Sequence, residues 1–277
     1  MNVWLAMLFA LELFAPGTIS TAGNELNAAF SPDGRTVYFT RTAGAGDART
    51  GTIFVSRARR NGRWSPPNIA AFSGRYSDYD PFVSPDGARL FFISNRPENG
   101  SAPKSDFDIW FVERVGDGWS APRNAGAAIN SEHNELYPAV VSNGTLYFSS
   151  CGRPDSRGRC DLYRSRFREG QYLEPENLGD AINSPASETD AYVAPDESYV
   201  LFAAYGRADA IGDGDLYASF WRNGAWSAPQ LLPSVVNTKA REYCPIVSPD
   251  GRWLYFTRED GTGDVHRVPM DVVNRLR

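Results

Sequence analysis

Three cysteines and two histidines in 277 residues leave little material for the commonest catalytic and metal centres. Three cysteines are too few for a disulfide scaffold, and no Cys/His spacing suits zinc. There is no Gly-x-Ser-x-Gly elbow, no phosphate loop and no metal-type pair of histidines. His133, near Glu132 and Glu135, is the one histidine placed to serve a hydrolase. No apolar run approaches the roughly 18–20 residues of a membrane span, which excludes an integral membrane protein. Lys and Arg number 28 against 33 Asp and Glu, a net charge of −5, with no basic block longer than Arg57-Ala58-Arg59-Arg60. Phosphate backbones need clustered cations, so a nucleic-acid partner is excluded as well.

What the chain has in quantity is turn-formers and aromatic residues. It carries 25 Gly and 19 Pro beside 7 Trp, 13 Tyr and 16 Phe, which together favour short strands over long helices. With 42% hydrophobic residues the chain is not disordered. Cys151 and Cys160 flank the loop Gly152–Arg159. Strands on either side would bring the two sulfurs together across a hairpin mouth. A disulfide, which needs an oxidising compartment, and a pair of free thiols at strand ends are both open readings.

An internal repeat decides the architecture. Ser-Pro-Asp-Gly stands at Ser31–Gly34, Ser84–Gly87 and Ser248–Gly251, and degenerate copies lie at Ser142-Asn143-Gly144 and Ala194-Pro195-Asp196-Glu197. The starts at 31, 84, 142, 194 and 248 are spaced by 53, 58, 52 and 54 residues. Each unit has a short run ending at the turn, then an aromatic alternating strand such as Val37-Tyr38-Phe39-Thr40 or Leu254-Tyr255-Phe256-Thr257. A Gly/Asp-rich loop and a third strand follow, and a fourth segment opens with an aromatic and a Pro three residues on (Trp64 and Pro67, Trp119 and Pro122, Tyr172 and Pro175, Trp226 and Pro229). Four antiparallel strands repeated radially make a β-propeller blade. The expected fold is all-β, a single five-bladed β-propeller over residues 13–277, with repeats starting near 25, 78, 135, 188 and 242.

The last unit lacks a fourth segment, and Leu13-Phe14-Ala15-Pro16 fits that template. The N-terminal segment is therefore expected to complete the last blade, closing the ring and covering two sheet edges. Residues 3–14 also resemble the apolar core of an export signal, and Ser20-Thr21-Ala22 a cleavage site. Cleavage there would remove the closing strand. The expectation is a truncated export signal over residues 1–12, ahead of the domain.

Ser31–Thr40, echoed in Ser248–Thr257, resembles the PD40 (WD40-like) repeat of TolB-type propellers. Gly118-Trp119-Ser120-Ala121-Pro122, Ala128-Ile129-Asn130-Ser131 and Ala181-Ile182-Asn183-Ser184 resemble copies in bacterial cell-envelope proteins. The resemblance covers essentially the whole chain. It implies a periplasmic or secreted monomer that binds a protein or glycan of the envelope. PD40 propellers also gate peptidases and form parts of lyases, and TolB itself has six blades, so the resemblance bears on fold more than function.

Comparing the blades with one another picks out candidate ligand positions. Six residues before each turn stands a carboxylate: Glu25, Asp78, Glu188 and Glu242, with Glu135 in the blade of shorter turn. Two residues later come Asn27, Asp80, Tyr137, Asp190 and Cys244. Strict alternation would put both members of each pair on one side of the channel-lining strand. Glu25, Asp78, Asp80, Glu135, Tyr137, Glu188, Asp190 and Glu242 are the candidate ligand-binding set. Converging acids suit a sugar, a basic peptide or a cation, with calcium the one cofactor considered and no fixed metal site indicated. Alternatively, two of Asp78, Asp80, Glu135 and Asp190 form the acid–base pair of a carbohydrate-active enzyme. A third reading is a scaffold whose partner binds the outer or bottom face, the repeated acids serving only to tie blade to blade. Asp209, Asp213 and Asp215 resemble half a calcium loop but lack its closing Glu.

Overall fold

The repeated turns set the local geometry. In the computed structural model, which describes residues 10–44 and 50–277, the Ser31 hydroxyl donates to Asp33 Oδ1 at 2.6 Å and accepts the Thr36 amide at 2.9 Å. Gly34 takes φ +66°, which a side chain would oppose. Ser84 and Ser248 bond Asp86 and Asp250 in the same way, each at 2.6 Å. In blade 4 the glycine is missing, and Glu197 adopts φ +59° instead.

Each turn joins the first two strands of an antiparallel sheet. Blade 1 comprises Asn24–Phe30, Thr36–Ala43, Thr50–Arg57 and Asn68–Ile69. Blade 2 comprises Asp78–Val83, Arg89–Ser94, Asp108–Val115 and Arg123–Asn124, and blade 3 Asn134–Val140, Leu146–Cys151, Asp161–Ser165 and Glu176–Asn177. Blade 4 is built from Ser187–Val193, Tyr199–Tyr205, Asp215–Arg222 and Gln230–Leu231. Blade 5 has three strands from the C-terminal end, Arg241–Val247, Trp253–Asp260 and Thr262–Pro269, and its fourth is Glu12–Leu13. The protein is a five-bladed β-propeller.

The closing strand begins at Glu12, inside the stretch expected to be an export signal. Glu12 pairs with Arg267 and Leu13 with His266, and Arg267 grips the Glu12 carboxylate at 2.6 Å. Phe14, only 4% exposed, meets Phe30, Trp64 and Tyr255 edge-on with centroids 4.9 to 5.8 Å apart. Residues 1–9, which hold most of the expected signal, lie outside the described residues. Among the described residues no helix is long and apolar enough to cross a membrane.

The core between blades repeats as the sequence does. Phe39, Phe92, Phe148, Phe202 and Phe256 occupy one position of the second strand and are all buried. Burial of each stabilises the fold by about 1.5–3 kcal/mol. Four of them stack on a third-strand ring: Phe54, Tyr163, Tyr217 and His266, at 5.8 to 6.0 Å. His266 thus fills an aromatic core position, and burial lowers its pKa. Cys151 and Cys160 form a disulfide across the mouth of the hairpin they flank.

Candidate functional site

The first strands of the five blades line the central channel, and the two candidate residues of each strand part company there. Glu25, Asp78, Glu135, Glu188 and Glu242 are fully buried. Each ties three segments together. Glu242 accepts the Thr238 amide at 3.0 Å and hydroxyl at 2.6 Å, and pairs with Arg258 at 2.7 Å. Glu25 does the same with Thr21 and Arg41, Glu135 with Ser131 and Arg153, and Glu188 with Ser184 and Arg207. Asp78, one carbon shorter, reaches Ser73 and pairs with Arg96 at 2.7 Å. Every one of these arginines also lies over an aromatic ring of its own blade. These five acids are therefore held apart, one in each blade, as struts between the entering loop, the first strand and the end of the second.

A β-bulge separates them from their partners. In every blade the register of first and second strand shifts just past the acid, as between Leu26 and Ala29 or Thr189 and Tyr192. The bulged residues are Asn27, Asp80, Tyr137, Asp190 and Cys244, with φ of +49°, +52°, +52°, +56° and +51°. An extra residue breaks the alternation, so the expected placing of both members on one side of the strand does not occur. Two of these five, Tyr and Cys, are unfavourable in that conformation, and the surrounding ring over-determines it.

The bulged residues meet one another across the channel. Asp80 lies beside the Asn27 side chain and the Tyr137 amide, both of which favour its charged form. Asp190 accepts from Thr189 at 3.0 Å and from the Cys244 thiol at 3.7 Å, and the Tyr137 hydroxyl and the Cys244 amide beside it also favour its charged form. The Asn27 amide passes the chain on to Thr257 at 3.1 Å. Asp80, Asp190 and Cys244 are 4%, 2% and 4% exposed. Burial pushes the Asp190 carboxyl up to about 7. Burial and the neighbouring Asp190 charge raise Asp80 well above the carboxylate range, and the same two causes raise Tyr137 and Cys244. The space beside Asn27, Tyr137, Asp190 and Cys244 is about 20 Å³, one water molecule's worth. The ring is a polar plug across the channel.

Of the residues expected at the site, the structure brings together Asp80, Tyr137 and Asp190, joined by Asn27 and Cys244. It keeps Glu25, Asp78, Glu135, Glu188 and Glu242 out of that cluster. Among the described residues no three His, Cys, Asp or Glu side chains converge to hold a metal ion. Asp215 accepts the Ile211 and Gly212 amides, and Asp209 accepts the Tyr217 hydroxyl, so that acidic loop is organised around its own backbone.

The sequence reading missed a cavity of about 820 Å³ between blades 2 and 3, lined by Arg89, Glu113, Arg114, Asn143, Phe167 and Tyr172 among others. Its signal was the irregularity of blade 3, with its shortened turn and a Tyr in place of Trp.

No protein-family model matches the chain, and no curated protein matches it. Solved structures do share the fold. A putative TolB from Agrobacterium tumefaciens superposes with a TM-score of 0.52 at 17% identity, over 86% of this chain and 71% of that one. The arabinanase of Bacillus subtilis gives 0.55 at 11% identity over 88% and 94%. The catalytic domain of the GH62 α-L-arabinofuranosidase of Coprinopsis cinerea gives 0.55 at 10% over 94% and 96%. At these identities the likeness establishes a propeller with a TolB-like relative in shape, and it extends equally to glycosidases.

Proposed function

We propose that this chain is a non-catalytic binding module, a PD40-type, TolB-like propeller of the bacterial cell envelope that engages a protein or glycan as a monomer. The observation that carries this reading is the state of the channel acids. A glycosidase needs two carboxyl groups facing a cleft that admits a sugar and a water. Here Asp190 is buried and hydrogen-bonded beside a space of only about 20 Å³, Asp80 is buried next to it, and Asp78 and Glu135 are neutralised by Arg96 and Arg153. Export to the periplasm or beyond is supported by the Cys151–Cys160 disulfide, which belongs to oxidising compartments.

The test is an activity screen of the purified chain on arabinan, other polysaccharides and aryl glycosides. No reducing ends above the buffer rate is the expected result. Release that disappears in Asp190→Asn would overturn the binding reading in favour of a carbohydrate-active enzyme. Osmotic-shock fractionation of a tagged chain, with the protein in the periplasmic or secreted fraction, checks the location.

A further inference from the structure

Blade 3 breaks the repeat along a single seam. Its turn is Ser142-Asn143-Gly144, and Tyr172 stands where blades 1, 2 and 4 carry Trp64, Trp119 and Trp226. Its Phe167–Arg168 and Gln171–Tyr172 strands form a separate two-stranded sheet, whereas the equivalent hairpins of blades 2 and 4 extend the third strand. The equivalent seam of blades 5 and 1, with full turns and Trp64, holds a cleft of about 480 Å³; the shortened turn and the smaller ring of blade 3 widen it here. The result is the 820 Å³ cavity, continued by a second of about 270 Å³ that shares Arg89, Phe167 and Tyr172 with it.

The cleft has a charge of its own. The Arg89 guanidinium lies between the rings of Phe111 and Phe167, at 5.3 and 5.1 Å. Glu113 is shared by Arg89 and Arg123, at 3.3 and 3.1 Å. Asp86 is committed to its own turn through the Ser84 hydroxyl and the Ala88 amide. Arg114 is exposed, lies 4.2 Å over the Trp119 ring, and has no carboxylate partner among the described residues. Three guanidinium groups thus face two occupied carboxylates, a local positive surplus on a chain of net charge −5. Between these side chains the lining residues are small, with Asn143-Gly144 on one side and Ala125-Gly126-Ala127-Ala128 with Gly170 on the other. Such walls suit the amides and carbonyls of an extended chain.

We propose that the cleft between blades 2 and 3 is a peptide seat that takes an extended acidic segment of a partner protein. A side-chain carboxylate docks on Arg114, and apolar side chains lie along Phe167 and Tyr172. The proposal rests on the binding-module reading and names its partner class.

The probe is a fluorescein-labelled, capped Glu-Phe-Glu-Phe-Glu-Glu peptide, titrated at low ionic strength with anisotropy as readout. Saturable binding with a dissociation constant below about 1 mM is expected. Arg114→Glu should weaken it about tenfold, as removal of a steering charge does, while Arg59→Glu, exposed on blade 1, should leave it unchanged. Both variants change exposed side chains, and an unchanged thermal midpoint confirms that each is folded. No saturable binding, or equal weakening by both variants, overturns the seat. Tighter binding of trigalacturonate than of the peptide, abolished by Arg114→Glu, overturns the peptide as occupant. Glycoside turnover in the earlier screen would remove the binding-module reading without altering these titrations.

Discussion

Asp190→Asn removes the channel carboxyl that titrates near neutrality, and its effect on stability should depend on pH with a definite sign. In the folded chain Asp190 titrates at about 7, raised by burial from its ordinary 3.8. Between those values the native state holds a proton that the unfolded state has released, so the native state loses stability as pH rises. The interval corresponds to about 4 kcal/mol at about 1.4 kcal/mol per pH unit. Asp80 is raised in the same direction, by burial and then by the Asp190 charge, and adds to the loss. His266 works the other way: its folded pKa is depressed by burial, so its contribution is lost as pH falls. It is common to both proteins and cancels in their difference. The assay is urea unfolding followed by tryptophan fluorescence, at steps between about pH 4 and about pH 7, for the parent and for Asp190→Asn. The parent should lose stability across that range and the variant should be flatter, its disadvantage at low pH shrinking or reversing near neutrality. Parallel profiles would refute the sealed-ring account, since a carboxyl open to water titrates alike in both states.

Three further outcomes follow from the contacts. Asp78→Ala strands the buried Arg96 guanidinium and should cost about 3–5 kcal/mol in a urea titration; a loss typical of a surface pair, under about 1 kcal/mol, would contradict its role as a strut. Cys151→Ser with Cys160→Ser opens a closure with a sequence separation of 9, for which chain entropy gives about 2.5 kcal/mol; reductant should lower the midpoint of the parent and leave the double variant unmoved. Leu13→Asn should stabilise the chain by about 1 kcal/mol. The Asn124 and Asn177 amides reach Asp108 and Asp161 from the outer strands of blades 2 and 3, whereas Leu13 and Leu231 take that place opposite Asp264 and Asp215, each left with a buried oxygen that has no hydrogen-bond partner among the described residues. A midpoint that falls in Leu13→Asn would show that the leucine packing outweighs the missing hydrogen bond.

The repeat was legible because its elements are local. Ser-Pro-Asp-Gly makes a turn from four consecutive residues, and the aromatic strand behind it alternates over four more, so five copies at near-constant spacing specified five blades. The closing strand was legible for the same reason: Leu13–Pro16 matches the outer-strand template, and the last blade lacks one. The hairpin bringing Cys151 to Cys160 was equally local. The site was not. A β-bulge has no residue signature here, since Asn, Asp, Tyr, Asp and Cys all occupy it, and only the pairing of first with second strand shows that alternation breaks after Glu25, Asp78, Glu135, Glu188 and Glu242. That break sends the acids to arginines of their own blades and sends Asp80, Tyr137 and Asp190 to one another, residues more than fifty positions apart. The cleft between blades 2 and 3 is enlarged by what blade 3 omits, to about 820 Å³ from the 480 Å³ of the seam between blades 5 and 1. Omitted volume becomes a cavity only when a neighbour stands across it, so sequence determined the blades and tertiary packing decided which surfaces they seal and which they leave open.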